Sequence, residues 1–340
     1  MTRLRILLLG DTHLGLDHAL HPRVLRRRRG PELFANFQRA LRPALRGEVD
    51  AVVHGGDLFN RSRPPLQLAQ MALEPLLRVA DLGLPVFLVP GNHERSRIPH
   101  PLLARHPNLH IFQEPRTIPP RLTRLPLAVS GFPFARRVDG AAFGRLVEQT
   151  GWRRADAPLR LMCLHQAVEG ATVGVQDFTF RRGRDVVPGR AIPGAFDAVL
   201  SGHIHRWQVL TEDLAGRPLG APVLYPGSTD RTSFAEREEQ KGYLLLELAE
   251  GEPVRWRLVP LPTRPMLNVP LPLGPDLRGQ LQRRLASLPP DAIVRLQPDG
   301  PLPAAAWSAL GSRSLRTVAP AGMSVSVAGQ QRRAAATQRG

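Results

Sequence analysis

Short apolar runs recur along this chain, and five of them stop abruptly at His, Asp or Asn. Ile6–Leu9 leads to Asp11-Thr12-His13, Ala51–Val53 to Gly55-Gly56-Asp57, and Val86–Val89 to Gly91-Asn92-His93-Glu94. Leu161–Leu164 ends at His165, and Ala198–Leu200 precedes Gly202-His203-Ile204-His205. Runs of this length, bounded by Gly or Pro, read as buried strands. Segments of helical period lie between the first three: Glu32–Leu45, with Leu33, Phe34, Phe37 and Leu41 on one face, and Leu66–Ala80 between Pro65 and Gly83. Alternation of this kind predicts a mostly parallel sheet.

Beyond residue 107 the strand signals become denser. Leu109–Phe112, Leu127–Ser130, Leu159–Leu164, Asp197–Leu200, Trp207–Leu210, Pro222–Tyr225, Tyr243–Leu248 and Val254–Val259 all qualify, with one helix near Asp139–Gln149. Two sheets packed face to face with helices outside are expected. Leu261–Pro265 breaks the composition and divides residues 1–262 from a small α+β unit at 263–327. In that unit Met266–Pro270 and Ala292–Leu296 read as strands and Asp276–Leu288 as a helix. Ala304–Leu310 reads as a short helix, and Val318–Val327 fits either element. Residues 328–340, rich in Gln, Arg and Ala, have no apolar period and are expected to be disordered.

The 340 residues can hold one large domain plus a small one, or two of ordinary size, and 42% hydrophobic content is enough for a real core. The formal net charge is +17, carried by 45 arginines and the single lysine Lys241. Such a charge attracts polyanions, nucleic acid first. With 35 prolines, the arginine excess also fits the codon bias of a GC-rich genome. Cys163 is the lone cysteine, so an intrachain disulfide is excluded. No apolar stretch approaches the ~18 residues of a membrane helix, and Ile6–Leu9 is too short for a signal-peptide core. The expected compartment is the cytoplasm.

Chemistry enters through the strand ends. In open α/β sheets, sites form beyond the carboxyl ends of strands. Asp11 and His13, two apart, share a side of an extended segment and could grip one ion together; His203 and His205 repeat the device. Asp57, delivered from a Gly-Gly turn, is the natural bridging carboxylate. Asn92 adds a neutral oxygen, and His165 completes the set. Mixed His/Asp/Asn ligation suits manganese, iron or zinc. Of the other histidines, His54 reads as a core or supporting residue. His18, His21, His100, His106 and His110 read as exposed loop residues.

The five groups resemble the calcineurin-like metallophosphoesterase superfamily, whose pattern is D-x-H, G-D, G-N-H-[DE], H and G-H-x-H. Leu164–Gly170, Ala198–Leu210, Tyr225-Pro226-Gly227-Ser228, Arg231–Glu236 and Lys241-Gly242-Tyr243 further resemble SbcD-type DNA repair exonucleases and their YhaO-like bacterial relatives. The resemblance implies a four-layer α/β/β/α sandwich with a small C-terminal α+β capping domain. It implies one ion held by Asp11, His13, Asp57 and His205, and a second held by Asp57, Asn92, His165 and His203, with manganese favoured. His93 would stand over the scissile phosphate and act as the catalytic group. The implied activity is two-metal hydrolysis of DNA phosphodiesters from an end.

Arg61 lies four residues after Asp57, where serine/threonine phosphatases of the superfamily carry an arginine, and Gly-Asn-His-Glu matches theirs as well. Arg61 is therefore a candidate phosphate clamp, and a phosphatase or small-molecule phosphodiesterase is the alternative activity; a non-catalytic DNA-binding subunit is the third. Arg28 and Arg29, in the basic run Arg26–Arg29, are candidate DNA contacts. An SMC-like ATPase is the partner the resemblance implies, though Ala328–Gly340 lacks an apolar stripe with which to dock one; a homodimer is also left open.

Overall fold

The computed structural model describes residues 3–21, 27–119, 125–274, 276–302, 306 and 310–328. Four parallel strands, β1 (Leu4–Leu9), β2 (Ala51–His54), β3 (Val86–Leu88) and β4 (Leu109–Ile111), lie side by side. Two antiparallel strands, β15 (Gly242–Leu248) and β16 (Arg255–Pro260), extend the sheet beyond β1, giving the order β16-β15-β1-β2-β3-β4. The second sheet runs Gln208–Glu212, Pro218–Tyr225, Ala198–Gly202, Leu159–His165, Leu127–Gly131 and Arg116–Ile118 from edge to edge. Its parallel centre is β6 (Leu127–Gly131), β7 (Leu159–His165), β12 (Ala198–Gly202) and β14 (Pro218–Tyr225). β5 (Arg116–Ile118) and β13 (Gln208–Glu212) flank it antiparallel. Four short strands, β8 (Ala167–Val168), β9 (Thr172–Val173), β10 (Phe178–Thr179) and β11 (Val186–Val187), form two small pairs.

Side-chain alternation along β1 shows how the layers are built. Ile6 and Leu8 join Leu161, Cys163, Leu200 and Leu224 in the core between the sheets. Leu7 and Leu9 pack instead with Leu33 and Phe37 of the helix Gly30–Ala40 and with Leu73 and Leu76 of the helix Leu66–Asp81. On the far side Met162, Leu164 and Val199 pack with Phe143 and Val147 of the helix Gly140–Gln149. The result is a four-layer α/β/β/α sandwich, in which strands buried on both faces must be apolar throughout.

Some expectations from periodicity need correction. Glu32–Leu45 is two helices, Gly30–Ala40 and Arg42–Leu45, because Pro43 has no N–H to continue the ladder. Val318–Val327 separates into the end of the helix Ser312–Val318 and strand β19 (Ser324–Val327). Its strand half is decided by pairing with β18 (Ile293–Pro298). The expected helix Ala304–Leu310 falls mostly, and the tail 329–340 wholly, outside the described residues.

The chain divides into two compact units. The second begins at Thr263 and also takes in Arg27, Arg28 and Ser233–Glu238. Strand β17 (Met266–Leu271), β18 and β19 form a parallel sheet covered by the helices Leu277–Ala286 and Ser312–Val318, around Leu281, Leu285, Val294 and Leu296. Buried Arg264 ties its strand ends together by donating to the carbonyls of Asp291, Ala292 and Gly322. Arg295 lies over the Phe234 ring at 4.3 Å.

Candidate metal centre

The parallel strands point their carboxyl ends the same way, so the loops after β1, β2, β3, β7 and β12 gather at one end of the sandwich. The loops after β1 and β2 are laced together: Asp11, His13 and Leu14 donate main-chain N–H groups to the carbonyls of Gly56, Asp57 and Leu58. The two sheets meet at Gly55 and Gly202. A Cβ on Gly202 would stand 2.3 Å from the Gly55 oxygen, so neither position admits a side chain without displacement. Gly91 makes room in the same way, since a Cβ there would fall 2.2 Å from Asp57 Oδ1.

The backbone at this end is strained. Asp11, His13, Asp57 and His203 have φ of 48°, 45°, 51° and 83°. Non-glycine residues rarely adopt such angles, which cost on the order of 1–3 kcal/mol each and cluster at functional sites. This corrects one step of the sequence argument. Asp11 and His13 do converge, but not by alternating along an extended strand: β1 ends at Leu9 and both residues are left-handed. His203 likewise lies just past the end of β12.

All seven expected ligands, and His93, are brought together. His13 Nε2 is 3.0 Å from His205 Nε2 and 3.8 Å from Asp57 Oδ2. His205 Nε2 is 3.9 Å from Asp11 Oδ1. On the other side His165 Nε2 is 3.4 Å from Asp57 Oδ2. Asn92 Oδ1 is 3.0 Å from both His165 Nε2 and His203 Nδ1. Ligand atoms on one ion, each about 2.1 Å from it, can be at most about 4.2 Å apart, and every one of these separations qualifies. Asp57 belongs to both groups. The donors are oxygen and imidazole nitrogen, which fits a divalent transition ion.

The supporting contacts have the form expected around metal-binding imidazoles, where one ring nitrogen is committed to protein and the other is left for the ion. His165 Nδ1 is 2.8 Å from the Gly55 carbonyl, to which it donates. His205 Nδ1 is 3.2 Å from Thr232 Oγ1. Burial opposes charge on His165, but the Asp57 carboxylate beside it prevails and raises its pKa to about 9. Burial also acts against the Asp57 carboxylate, yet His165, His13 and His93 hold it well below the usual range. Asp11 has no such majority, and burial pushes it up to about 6. Negative charge crowded among imidazoles in a water-poor pocket is what a cation would neutralise.

A family model for calcineurin-like phosphoesterases matches residues 4–207, which covers all five groups. The chain belongs to the calcineurin-like phosphoesterase family. Among curated proteins, the DNA double-strand break repair protein Mre11 of Haloferax volcanii is 32% identical over 80% of this chain and 55% of its own length. The Mre11 of Saccharolobus solfataricus is 26% identical over 70% of this chain and 57% of its own. The metallophosphoesterase YhaO of Bacillus subtilis is 26% identical over 74% and 59%. This phosphoesterase thus spans little more than half the length of these relatives. Among its described residues no helix is long and apolar enough to cross a membrane.

His93 stands apart from the other imidazoles of this phosphoesterase, with 39% of its side chain exposed. Its Nδ1 is 3.0 Å from the Asn60 carbonyl, and its Nε2 is 3.9 Å from Asp57 Oδ2. Geometrically Nε2 falls in the same cluster of donor atoms as His13 and Asp57. Arg61 follows Asn60 in sequence and is exposed. The Arg29 side chain is 12% exposed, and its Nη2 donates to Asp230 Oδ1 at 3.1 Å and to the Arg231 carbonyl. Arg28 is a half-buried residue of the second unit, and Arg26 lies outside the described residues.

Sequence reasoning passed over three supports. Glu94 is buried and accepts from the N–H groups of Phe59 at 2.6 Å and Gly91 at 2.7 Å, pinning the loop after β3 to the loop after β2. Burial, then Asp57, raises its pKa to about 8. Lys241, also buried, donates to the His205 carbonyl and to Glu239 Oε2, each at 2.8 Å. A single lysine among 45 arginines was the available signal. Thr232, at the His205 ring, lies in the Arg231–Glu236 stretch, which marked the resemblance but not this contact. His54 supports the site as expected, with Nδ1 accepting from Gly56 N–H at 3.2 Å and Nε2 3.2 Å from Thr12 Oγ1. Of the histidines expected in exposed loops only His21 is exposed; His18, His100 and His106 are half-buried, and so is His110, which lies in β4 stacked 5.2 Å from the Phe87 ring.

Proposed function

We propose that this phosphoesterase is a two-metal-dependent exonuclease acting on DNA. The observation that carries the reading is the convergence of seven donor side chains, Asp57 among them, from the strand ends of both sheets, in a chain whose similarity to an Mre11 protein extends over 80% of its length. Asp11, His13, Asp57 and His205 would hold one ion, and Asp57, Asn92, His165 and His203 the other, manganese being favoured. Two such ions hold a phosphodiester and lower the pKa of a bound water. His93 commits Nδ1 to the Asn60 carbonyl, which holds the ring in place. That leaves Nε2 to donate to the charged phosphate oxygens or to the departing alkoxide.

The +17 charge supports a polyanionic substrate, and a cytoplasmic placement goes with it. The C-terminal unit would act as a capping domain, and an SMC-like ATPase would be the partner class. Arg61, next to Asn60, also suits a phosphomonoester clamp, so phosphatase activity is the competing reading. Manganese-dependent cleavage of end-labelled duplex, single-stranded DNA and a phosphomonoester would be compared. Shortening of DNA from its ends supports the nuclease; turnover of the monoester alone supports the phosphatase; none of the three supports a binding subunit.

A further inference from the structure

Beside the centre, the first unit carries an exposed hairpin whose largest side chain stands mostly in solvent. β9 and β10 pair Thr172 with Thr179 and Val173 with Phe178, and Gly174–Asp177 forms the turn. Phe178 is 62% exposed and Val175 41%. Phe178 meets Phe180 in a T-shaped contact with ring centroids 5.4 Å apart. Arg181, Arg182 and Arg184 follow directly, all exposed.

The hairpin is fixed to the segment that bears His205. Thr172 N–H donates to Gln208 Oε1 at 2.8 Å, and Gln208 Nε2 returns a bond to the Thr172 carbonyl at 2.9 Å. Arg206, adjacent to His205, donates to the Gly174 carbonyl and pairs with Asp177 at 2.5 Å. The same guanidinium reaches Glu239, which binds Lys241, which holds the His205 carbonyl. One polar network therefore runs from the hairpin turn to a proposed metal ligand. Trp207, 38% exposed, is two residues beyond His205.

We propose that this hairpin is a stacking element for an unpaired DNA strand, with Phe178 taking a base, and that it directs the centre toward single-stranded ends. The proposal rests on the nuclease reading. Exposed aromatic rings interleaved with arginines are what a flexible polyanion with π-faces requires. A neutral apolar partner would not call for Arg181, Arg182 and Arg184. Asp177, the acidic residue of the turn, is neutralised by Arg206 and does not repel phosphate. Bases inside duplex DNA are stacked on one another, so away from a blunt terminus only an unpaired strand can offer a face to Phe178.

The test compares wild type, Phe178→Ala and Phe178→Trp with manganese on an oligothymidylate, its duplex with oligoadenylate, and bis(p-nitrophenyl) phosphate. One lost base stack predicts a roughly 5- to 150-fold fall in kcat/KM on the oligothymidylate for Phe178→Ala. Phe178→Trp should restore it, and the small diester should be unaffected. Unchanged oligothymidylate cleavage by Phe178→Ala overturns the hairpin's role while leaving the nuclease reading standing. An equal loss on the small diester also overturns it, because Phe178 would then act on the centre itself. A wild type that hydrolyses the small diester but neither DNA overturns the nuclease reading, and the stacking role with it.

Discussion

The main-chain N–H of His203 points at the Asp11 carboxylate, 3.1 Å from each of its oxygens. Asp11 follows a strand of one sheet and His203 a strand of the other, so this contact joins the sheets at the point where the donor atoms collect. It also accounts for the geometry at both residues. Their positive φ angles turn the chain sharply past the strand ends, and the resulting strain is held by hydrogen bonds such as this one and those between the Asp11–Leu14 and Gly56–Leu58 segments.

In the proposed assignment Asp57 holds both ions and Asp11 one. Asp57→Ala should therefore lose both ions, and Asp11→Ala should mainly weaken the ion shared with His13 and His205. Elemental analysis of protein purified with manganese reads this directly. Two ions retained by Asp57→Ala would remove the bridging assignment.

His93 is the most exposed imidazole of the cluster and is anchored by a main-chain carbonyl. His93→Ala should keep both ions and its affinity for DNA while losing ~10²–10⁴-fold in turnover. A variant that no longer retains metal would make His93 a ligand, a position its distance from Asp57 allows.

Arg29 and Arg61 should behave differently. Arg29→Ala leaves Asp230, itself 5% exposed, without its 3.1 Å partner and should cost roughly 3 kcal/mol of stability in chemical denaturation. Arg61→Ala should leave stability unchanged but lower the salt dependence of DNA binding by about one phosphate contact. A normal denaturation midpoint for Arg29→Ala, with a reduced salt slope, would return Arg29 to the DNA surface.

In the metal-free protein, His165 is raised from 6.5 to about 9, burial being overcome chiefly by Asp57. Its contribution to stability is complete below pH 6.5 and is lost as pH rises through 9. Glu94, raised from 4.5 to about 8 by burial and then Asp57, loses stability over the upper part of its own window in the same direction. His54, lowered to about 3 by burial, loses stability only as pH falls below 6.5. The Tm of chelator-treated protein should therefore fall between pH 6.5 and 9. Added manganese should reverse the trend, because an ion displaces the His165 proton more readily as pH rises. A flat metal-free profile would mean that the His165–Asp57 pair does not form without metal.

The sequence alone determined the strands and the donor types. Ile6–Leu9, Ala51–Val53 and Ala198–Leu200 are apolar at every position because both faces of each strand are buried, and that pattern is local enough to read. The polar residues at their ends stood out by contrast, so Asp11, His13, Asp57, Asn92, His165, His203 and His205 could all be named. Tertiary structure alone decided how they meet. The left-handed turns at Asp11, His13, Asp57 and His203 are imposed by hydrogen bonds between segments up to 192 residues apart, which no local pattern encodes. The setting of Arg29 has the same origin: Asp230, 201 residues away, is brought against it only by folding. Glu94 and Lys241 were ordinary charges in sequence, and their roles follow only from the main-chain groups that folding places within their reach.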